Sequence, residues 1–223
     1  MSEEYFYHYT NHASAIAIFL AGKIEQSLRS NGDAVHGDGV YLTTLDPKLG
    51  KEVVGKSNWD GVTRTPEDKM ECYFEILMPS SKVRRAKEKR DIQIHTGELV
   101  LSQYKWSLKN WFGDLIATQY FMVRSEGKAA VEHSSTMGRY TLCNNILTHG
   151  DTPVYKHDER EMYLYSNEDG DWSVSNVAGH GSSYLFQLSQ NYPSPHKTIT
   201  WKYFVEKVGG FEDDETLKVY PCY

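Results

Sequence analysis

From Gly138 onward the chain is a succession of short strand-like runs separated by turn clusters. The runs are Tyr140 to Leu142, Met162 to Tyr165, Trp172 to Val174, Tyr184 to Leu188, Thr198 to Val205 and Leu217 to Tyr220, and Asn167-Glu168-Asp169-Gly170 is typical of the turns. Runs of this length and texture predict an all-β unit over residues 137–223, read as an accessory binding or targeting domain. Sixteen Tyr among 13% aromatic residues favour strands over a helical bundle for the chain as a whole.

At 223 residues the chain holds one large domain or two small ones. The stretch Ser125 to Ser135 is small and polar and reads as a linker, leaving an N-terminal domain over residues 1–125. The formal charge of −6 gives no overall attraction for nucleic acid or an anionic membrane, so a polyanion would need a local basic patch. Cys72, Cys143 and Cys222 are far apart and form no C-x-x-C, which excludes a zinc ribbon and a disulfide framework and points to a reducing compartment, cytoplasmic or nuclear. The acidic start lacks the pattern of a signal peptide, and no apolar run is long enough to span a membrane.

In the N-terminal part, Tyr5 to Tyr9 reads as a strand with His8 near its end. Thr10 or Asn11 can cap a helix carrying Ile16, Phe19 and Leu20 on one face, and Gly22 stops it. Gly37-Asp38-Gly39 leads into the strand Val40-Tyr41-Leu42-Thr43, and Asp46-Pro47 starts a short helix or turn. Cys72 to Met78 is a strong strand, followed by short ones at Asp91 to Ile94 and Leu99 to Leu101 with Gly97 in the turn between. Leu108, Trp111, Phe112, Leu115 and Ile116 are spaced by threes and fours, which predicts an amphipathic helix from Ser107, with Tyr120 to Val123 open to closing as a strand.

Three elements put a polar residue at a strand edge beside a glycine or turn: Tyr7-His8-Tyr9-Thr10, Gly37-Asp38-Gly39-Val40-Tyr41-Leu42-Thr43, and Thr96-Gly97-Glu98-Leu99-Val100-Leu101. Singly, each has an ordinary reading: a packed core histidine, a turn entering a strand, an exposed turn charge. In this order they resemble the His-Tyr-Asp/Glu signature of diphtheria-toxin-like ADP-ribosyltransferases, most of all the small toxin-type subgroup. The Gly37 to Thr43 segment is also similar to the Gly-x-Gly-Ile-Tyr-Phe-Ala stretch of poly(ADP-ribose) polymerases. Ser27 and Asn58-Trp59-Asp60-Gly61 look like the same subgroup.

The resemblance covers roughly residues 1 to 106. It implies an α+β fold with a split-sheet ADP-ribosyltransferase-like N-terminal domain, followed by the small all-β domain. The implied activity is mono-ADP-ribosyl transfer from NAD to a macromolecular acceptor, protein or nucleic acid, with release of nicotinamide. The alternatives are NAD glycohydrolysis and a non-catalytic NAD or ADP-ribose reader. Glu98 would carry the charge developing on the ribose, Tyr41 would stack on nicotinamide, and His8 with Thr10 would hold a ribose, while Tyr9, Ser27, Gly39 and Asn58 complete the NAD site. Tyr9 stands where many relatives have Gly, and Glu98 where the subgroup has Asp.

Other features point elsewhere only weakly. Nine histidines include no His-Glu-x-x-His or His-x-His, so no metal is expected, and His157-Asp158-Glu159 reads as a charged turn. Gly179-His180-Gly181-Ser182-Ser183 imitates a phosphate loop without the following Lys and reads as a hairpin turn. Lys82, Arg84, Arg85, Lys87, Lys89 and Arg90 make a basic stretch, by default a solvated loop and otherwise a contact for the NAD pyrophosphate, an acidic target or nucleic acid.

Overall fold

The computed structural model describes residues 2–32, 34–59, 67–87, 90–148, 151–179, 183–187, 194–196 and 200–222, and the side chains of all of these but residues 144 and 145. The chain divides into two compact units, Met1–Ile116 and Ala117–Tyr223.

The first unit runs β1 (Glu3–Thr10), α1 (His12–Ala21), β2 (Lys23–Ile24), β3 (Val40–Leu42), α2 (Lys51–Asn58), β4 (Cys72–Pro79), β5 (Val83–Arg85), β6 (Gln93–His95), β7 (Leu99–Val100), β8 (Lys105–Asn110) and β9 (Leu115–Thr118). Its sheets are small: β1-β4-β8-β9, β3-β6-β5 and the pair β2-β7. The β1 strand pairs antiparallel with β4 along its whole length, burying Phe6, Phe74 and Ile76 on one face. On the other face Tyr7, Tyr9 and Tyr73 cluster with Val54 and Met70. Asn11 caps α1 by accepting from Ser14 N at 2.7 Å, and Gly22 ends it in the left-handed conformation at φ 67°.

The second unit runs β10 (Tyr120–Arg124), α3 (Lys128–Glu132), β11 (Gly138–Thr148), β12 (Thr152–His157), β13 (Tyr163–Ser166), β14 (Trp172–Ser175), β15 (Leu185–Gln187), β16 (Trp201–Val205), β17 (Gly210–Asp213) and β18 (Lys218–Cys222). These strands form one curled sheet ordered β17-β16-β15-β14-β13-β12-β11-β10-β18. Its pairings are antiparallel throughout, and Trp172, Tyr140, Tyr155, Tyr165 and Tyr203 fill its core. Buried phenols need partners. Tyr140 donates to Thr136 O at 2.7 Å, Tyr165 pairs with Ser175 Oγ at 3.1 Å, and Tyr203 donates to Glu212 Oε2 at 3.0 Å.

The expected α+β class is therefore corrected. The chain is mostly β, with 45% strand against 21% helix, and the described α-helices number three, so it is not the split-sheet ADP-ribosyltransferase arrangement. The helix expected from Ser107 is replaced by β8, a turn, β9 and β10. Trp111 and Phe112, which completed the helical spacing, sit in that turn, and Phe112 is 88% exposed. The turn is closed by Asn110 N donating to Asp114 O at 2.9 Å and Asp114 N donating to Asn110 Oδ1 at 2.8 Å, with Gly113 at φ 86°. Turn chemistry outweighs the periodicity.

Residues 125–135 lie inside the second unit, and their tether comes from far along the chain. Asp214 accepts from Ser125 Oγ at 2.8 Å, Ala129 N at 3.0 Å and Thr216 N at 2.9 Å. Of the expected charged turn, Asp158 and Glu159 form an exposed bend with Glu159 N donating to His157 Nδ1 at 3.1 Å, whereas His157 is the buried end of β12, where its Nε2–H donates to Met137 O at 2.9 Å. The Gly179 hairpin falls largely on residues 180–182, outside the described ones. Among the described residues no helix is long and apolar enough to cross a membrane, and no cluster of His, Cys, Asp and Glu could hold a metal ion.

Burial pushes the Asp214 carboxyl up, but its hydrogen bonds from Thr216, Ala129 and Ser125 outweigh that and bring it down to about 2. A carboxyl at about 2 in the fold against 3.8 unfolded stabilises the unit fully above the unfolded value, and the contribution is lost as pH falls through the folded one. Asp214→Asn should cost about 2 kcal/mol at neutral pH. Urea midpoints of wild type and variant should differ at pH 7 and converge near pH 2; a gap that persists in acid would assign the loss to packing.

Candidate functional site

An isolated bridge just past β3 holds the end of that strand beside β1. Tyr7 N donates to Thr43 O at 2.8 Å, and Thr43 N donates back to Tyr7 O at 3.1 Å. Ser27 and Gly39 make the same reciprocal exchange at 3.0 and 3.1 Å. Gly39 sits at φ 145°, and a Cβ there would lie 2.4 Å from His95 O and 2.6 Å from Ile94 Cγ2, so the approach of β3 to β6 requires glycine.

These pairings border an open cavity of about 510 Å³ in the first unit. His8, Tyr9 and Thr10 line it from β1, Tyr41 from β3, Asn58 from the end of α2, and Ser27 from the segment held against Gly39. Gly39 shapes this wall from behind and is not part of the lining. Asp60 and Gly61, which extend the Asn58 motif, lie outside the described residues.

The His8 imidazole and the Tyr41 backbone meet directly, with Nδ1 3.1 Å from Tyr41 O. A carbonyl only accepts, so Nδ1 carries the proton. Burial lowers the His8 pKa and the bond to Tyr41 O offsets only part of this, so the ring is neutral near pH 7. Nε2 is then an acceptor, and the described residues supply it no partner. The Tyr41 hydroxyl accepts from His36 N at 2.8 Å and donates to Gly37 O at 3.0 Å, while its ring packs on Ala86, Ile92 and Ile94. That ring is held rigidly at the cavity wall. Tyr9 donates to Leu45 O at 2.8 Å, and burial raises its pKa, so it stays a protonated core phenol.

Sequence reasoning missed two lining residues, His36 and Lys69, and named a third, Arg90, only within the basic stretch. Arg90 Nη2 stands 3.2 Å from His36 Nε2. Arg90 belongs to the basic stretch noted above, and that charge run was the available signal. Among the described lining residues there are two cations and no carboxylate.

The two carboxylates of interest are held elsewhere. Glu98 follows Gly97, which turns the chain at φ 78°, and its Oε2 lies 2.8 Å from Lys23 Nζ. The same ammonium lies 2.8 Å from Glu25 Oε1. Glu98 is about half exposed and does not line the cavity, although it lies only three residues beyond His95, the partner of Val40 in the β3-β6 pair. Asp91 accepts from Thr43 Oγ1 at 2.8 Å and from Thr44 N at 2.5 Å. Burial raises its pKa, but the bonds from Thr43, Gln93 and Thr44 together hold it below the ordinary value. It ties the end of β3 to the start of β6.

What this arrangement can do follows from its donor set. A neutral imidazole acceptor, small hydroxyl and amide side chains and a fixed tyrosine ring suit a ribose and an aromatic base, and the cations suit phosphates. Compared with family models, curated proteins and solved structures, the chain finds no match.

Proposed function

We propose that the first unit binds NAD in this cavity and transfers ADP-ribose from it to a macromolecular acceptor, releasing nicotinamide. The observation that carries the reading is the convergence of His8, Tyr9, Thr10, Ser27, Tyr41 and Asn58, from four separate stretches, on one cavity. The reading rests on the site and not on the fold. In the reaction the bond between nicotinamide and ribose breaks, nicotinamide leaves with the electron pair, and the acceptor's nucleophile bonds the ribose carbon and gives up its proton. His8 Nε2 would accept from a ribose hydroxyl, Tyr41 would offer its ring to nicotinamide, and Glu98, which stands outside the cavity lining on Lys23, would have to exchange that partner for the ribose in order to stabilise the positive charge developing there.

One observation favours a second reading, a non-catalytic NAD or ADP-ribose reader: no carboxylate is found among the described lining residues, and Glu98 is engaged by Lys23. Nicotinamide release from NAD separates the two. With labelled NAD and a total lysate, digestion by nuclease or by protease then identifies the acceptor class. Release without transfer to either would make the protein an NAD glycohydrolase.

Tyr41→Ala should raise the NAD dissociation constant severalfold, about 1 kcal/mol for a stacking ring, and Tyr41→Phe should be milder because the ring remains. Calorimetric titration checks this. Equal affinity in wild type and Tyr41→Ala would remove the ring from the site.

A further inference from the structure

Arg29 and two arginines of the basic stretch, Arg84 and Arg90, gather on the turn bearing His36 and Gly37. Arg84, on β5, donates from Nη2 to His36 O at 3.0 Å, and Arg90 Nη2 stands 3.2 Å from the ring of the same residue. A Cβ placed on Gly37 would lie 2.7 Å from Arg84 Nη2 and 3.8 Å from Arg29 Nη2, so both guanidinium groups converge on one side of a single backbone atom. Arg29 and Arg84 are exposed, and among the described residues no carboxylate pairs with either side chain. The nearby Asp38 carboxylate accepts from the Arg29 backbone N at 2.7 Å instead.

Arg29 and Arg84 bring two like charges together with no carboxylate on either side chain among the described residues, an arrangement that costs repulsion unless an anion joins it. Forked guanidinium donors on a common point match the oxygens of phosphate. Lys82, Arg85 and Lys87, all exposed, extend the positive surface beyond the three. The cluster also adjoins the cavity, since His36 and Arg90 line it.

We infer that Arg29, Arg84 and Arg90 form a phosphate-binding cradle at the edge of the cavity. Its ligand chemistry is two neighbouring phosphate groups, which have two sources. One is the diphosphate of a dinucleotide lying in the cavity, and this arm rests on the NAD reading above. The other is the backbone of a single-stranded nucleic acid, which stands without it.

The test titrates the full chain with ADP-ribose, with adenosine, which lacks phosphate, and with a short labelled single-stranded oligonucleotide. Arg29→Gln and Arg84→Gln should each weaken the phosphate-bearing ligand about tenfold without weakening adenosine, and Arg84→Lys should recover part of the loss. Dependence seen with ADP-ribose assigns the dinucleotide source. Dependence seen with the oligonucleotide assigns nucleic acid, and does so even if no nicotinamide is ever released, in which case the cradle stands and the proposed transferase falls. Arg84 also holds the turn through His36 O, so Arg29→Gln, which leaves that bond intact, decides the matter should Arg84→Gln fail to fold. Unchanged affinity for both phosphate ligands in folded variants, or binding of neither by wild type, overturns the cradle. So does polyglutamate binding as tightly as the oligonucleotide, since that would reveal a cationic surface without selectivity for phosphate.

Discussion

Glu98→Gln is expected to cut nicotinamide release from NAD on the order of a hundredfold to a thousandfold while leaving NAD affinity nearly unchanged. The substitution keeps the shape of the side chain and removes its charge. A fixed electrostatic partner for charge that develops only in the transition state is worth about 3 to 4 kcal/mol of barrier and little in the ground state. The Lys23 bond is half exposed, and exposed ion pairs contribute little to stability, so the melting temperature should hardly move. Glu98→Asp should retain part of the rate. Asp91→Asn is the informative contrast, because Asp91 ties Thr43 and Thr44 to the start of β6 and its loss should lower stability before it alters chemistry. Release intact in Glu98→Gln but abolished in a folded Asp91→Asn would move the catalytic role to Asp91. A wild type that binds NAD and never releases nicotinamide is a reader.

The second large effect concerns where the C-terminal unit begins. A fragment of residues 117–223 should melt cooperatively, whereas residues 137–223 should show no cooperative transition. The longer fragment contains β10, which pairs with both β11 and β18, so without it two strands lose a partner at once. It also contains Phe121 and Val123, both fully buried, with the Phe121 ring 4.9 Å from that of Tyr155. Removing one buried Phe side chain typically costs about 3 to 5 kcal/mol, against about 5 to 15 kcal/mol of total stability for a domain. The shorter fragment also strands Asp214 without Ser125 and Ala129. Circular dichroism melts of the two fragments decide it, and a cooperative melt of residues 137–223 would return the boundary to the expected linker.

How far the sequence could be read follows the range of the forces involved. Strand alternation, the Asn11 cap, the left-handed Gly22 and the turn at Gly97 depend on a few neighbouring residues, and each stands where the sequence put it. The stretches bearing His8, Ser27, Tyr41 and Asn58 were legible as motifs, but the isolated bridges of Tyr7 to Thr43 and Ser27 to Gly39, which bring the first three of them together beside Asn58 at one cavity, were not. What could not be read locally was decided by distant contacts. The apolar spacing after Ser107 is compatible with a helix until Asn110 and Asp114 close a turn and Phe121 finds Tyr155. The small polar stretch from Ser125 looks like a linker because Asp214, which binds it, lies about ninety residues away. Arg29 lies more than fifty residues before the basic stretch that holds Arg84 and Arg90, and the three meet only at His36 and Gly37. Local conformational energies set the elements; the pairing of strands and the company each charge keeps are properties of the folded whole, because both depend on which distant surfaces are buried together.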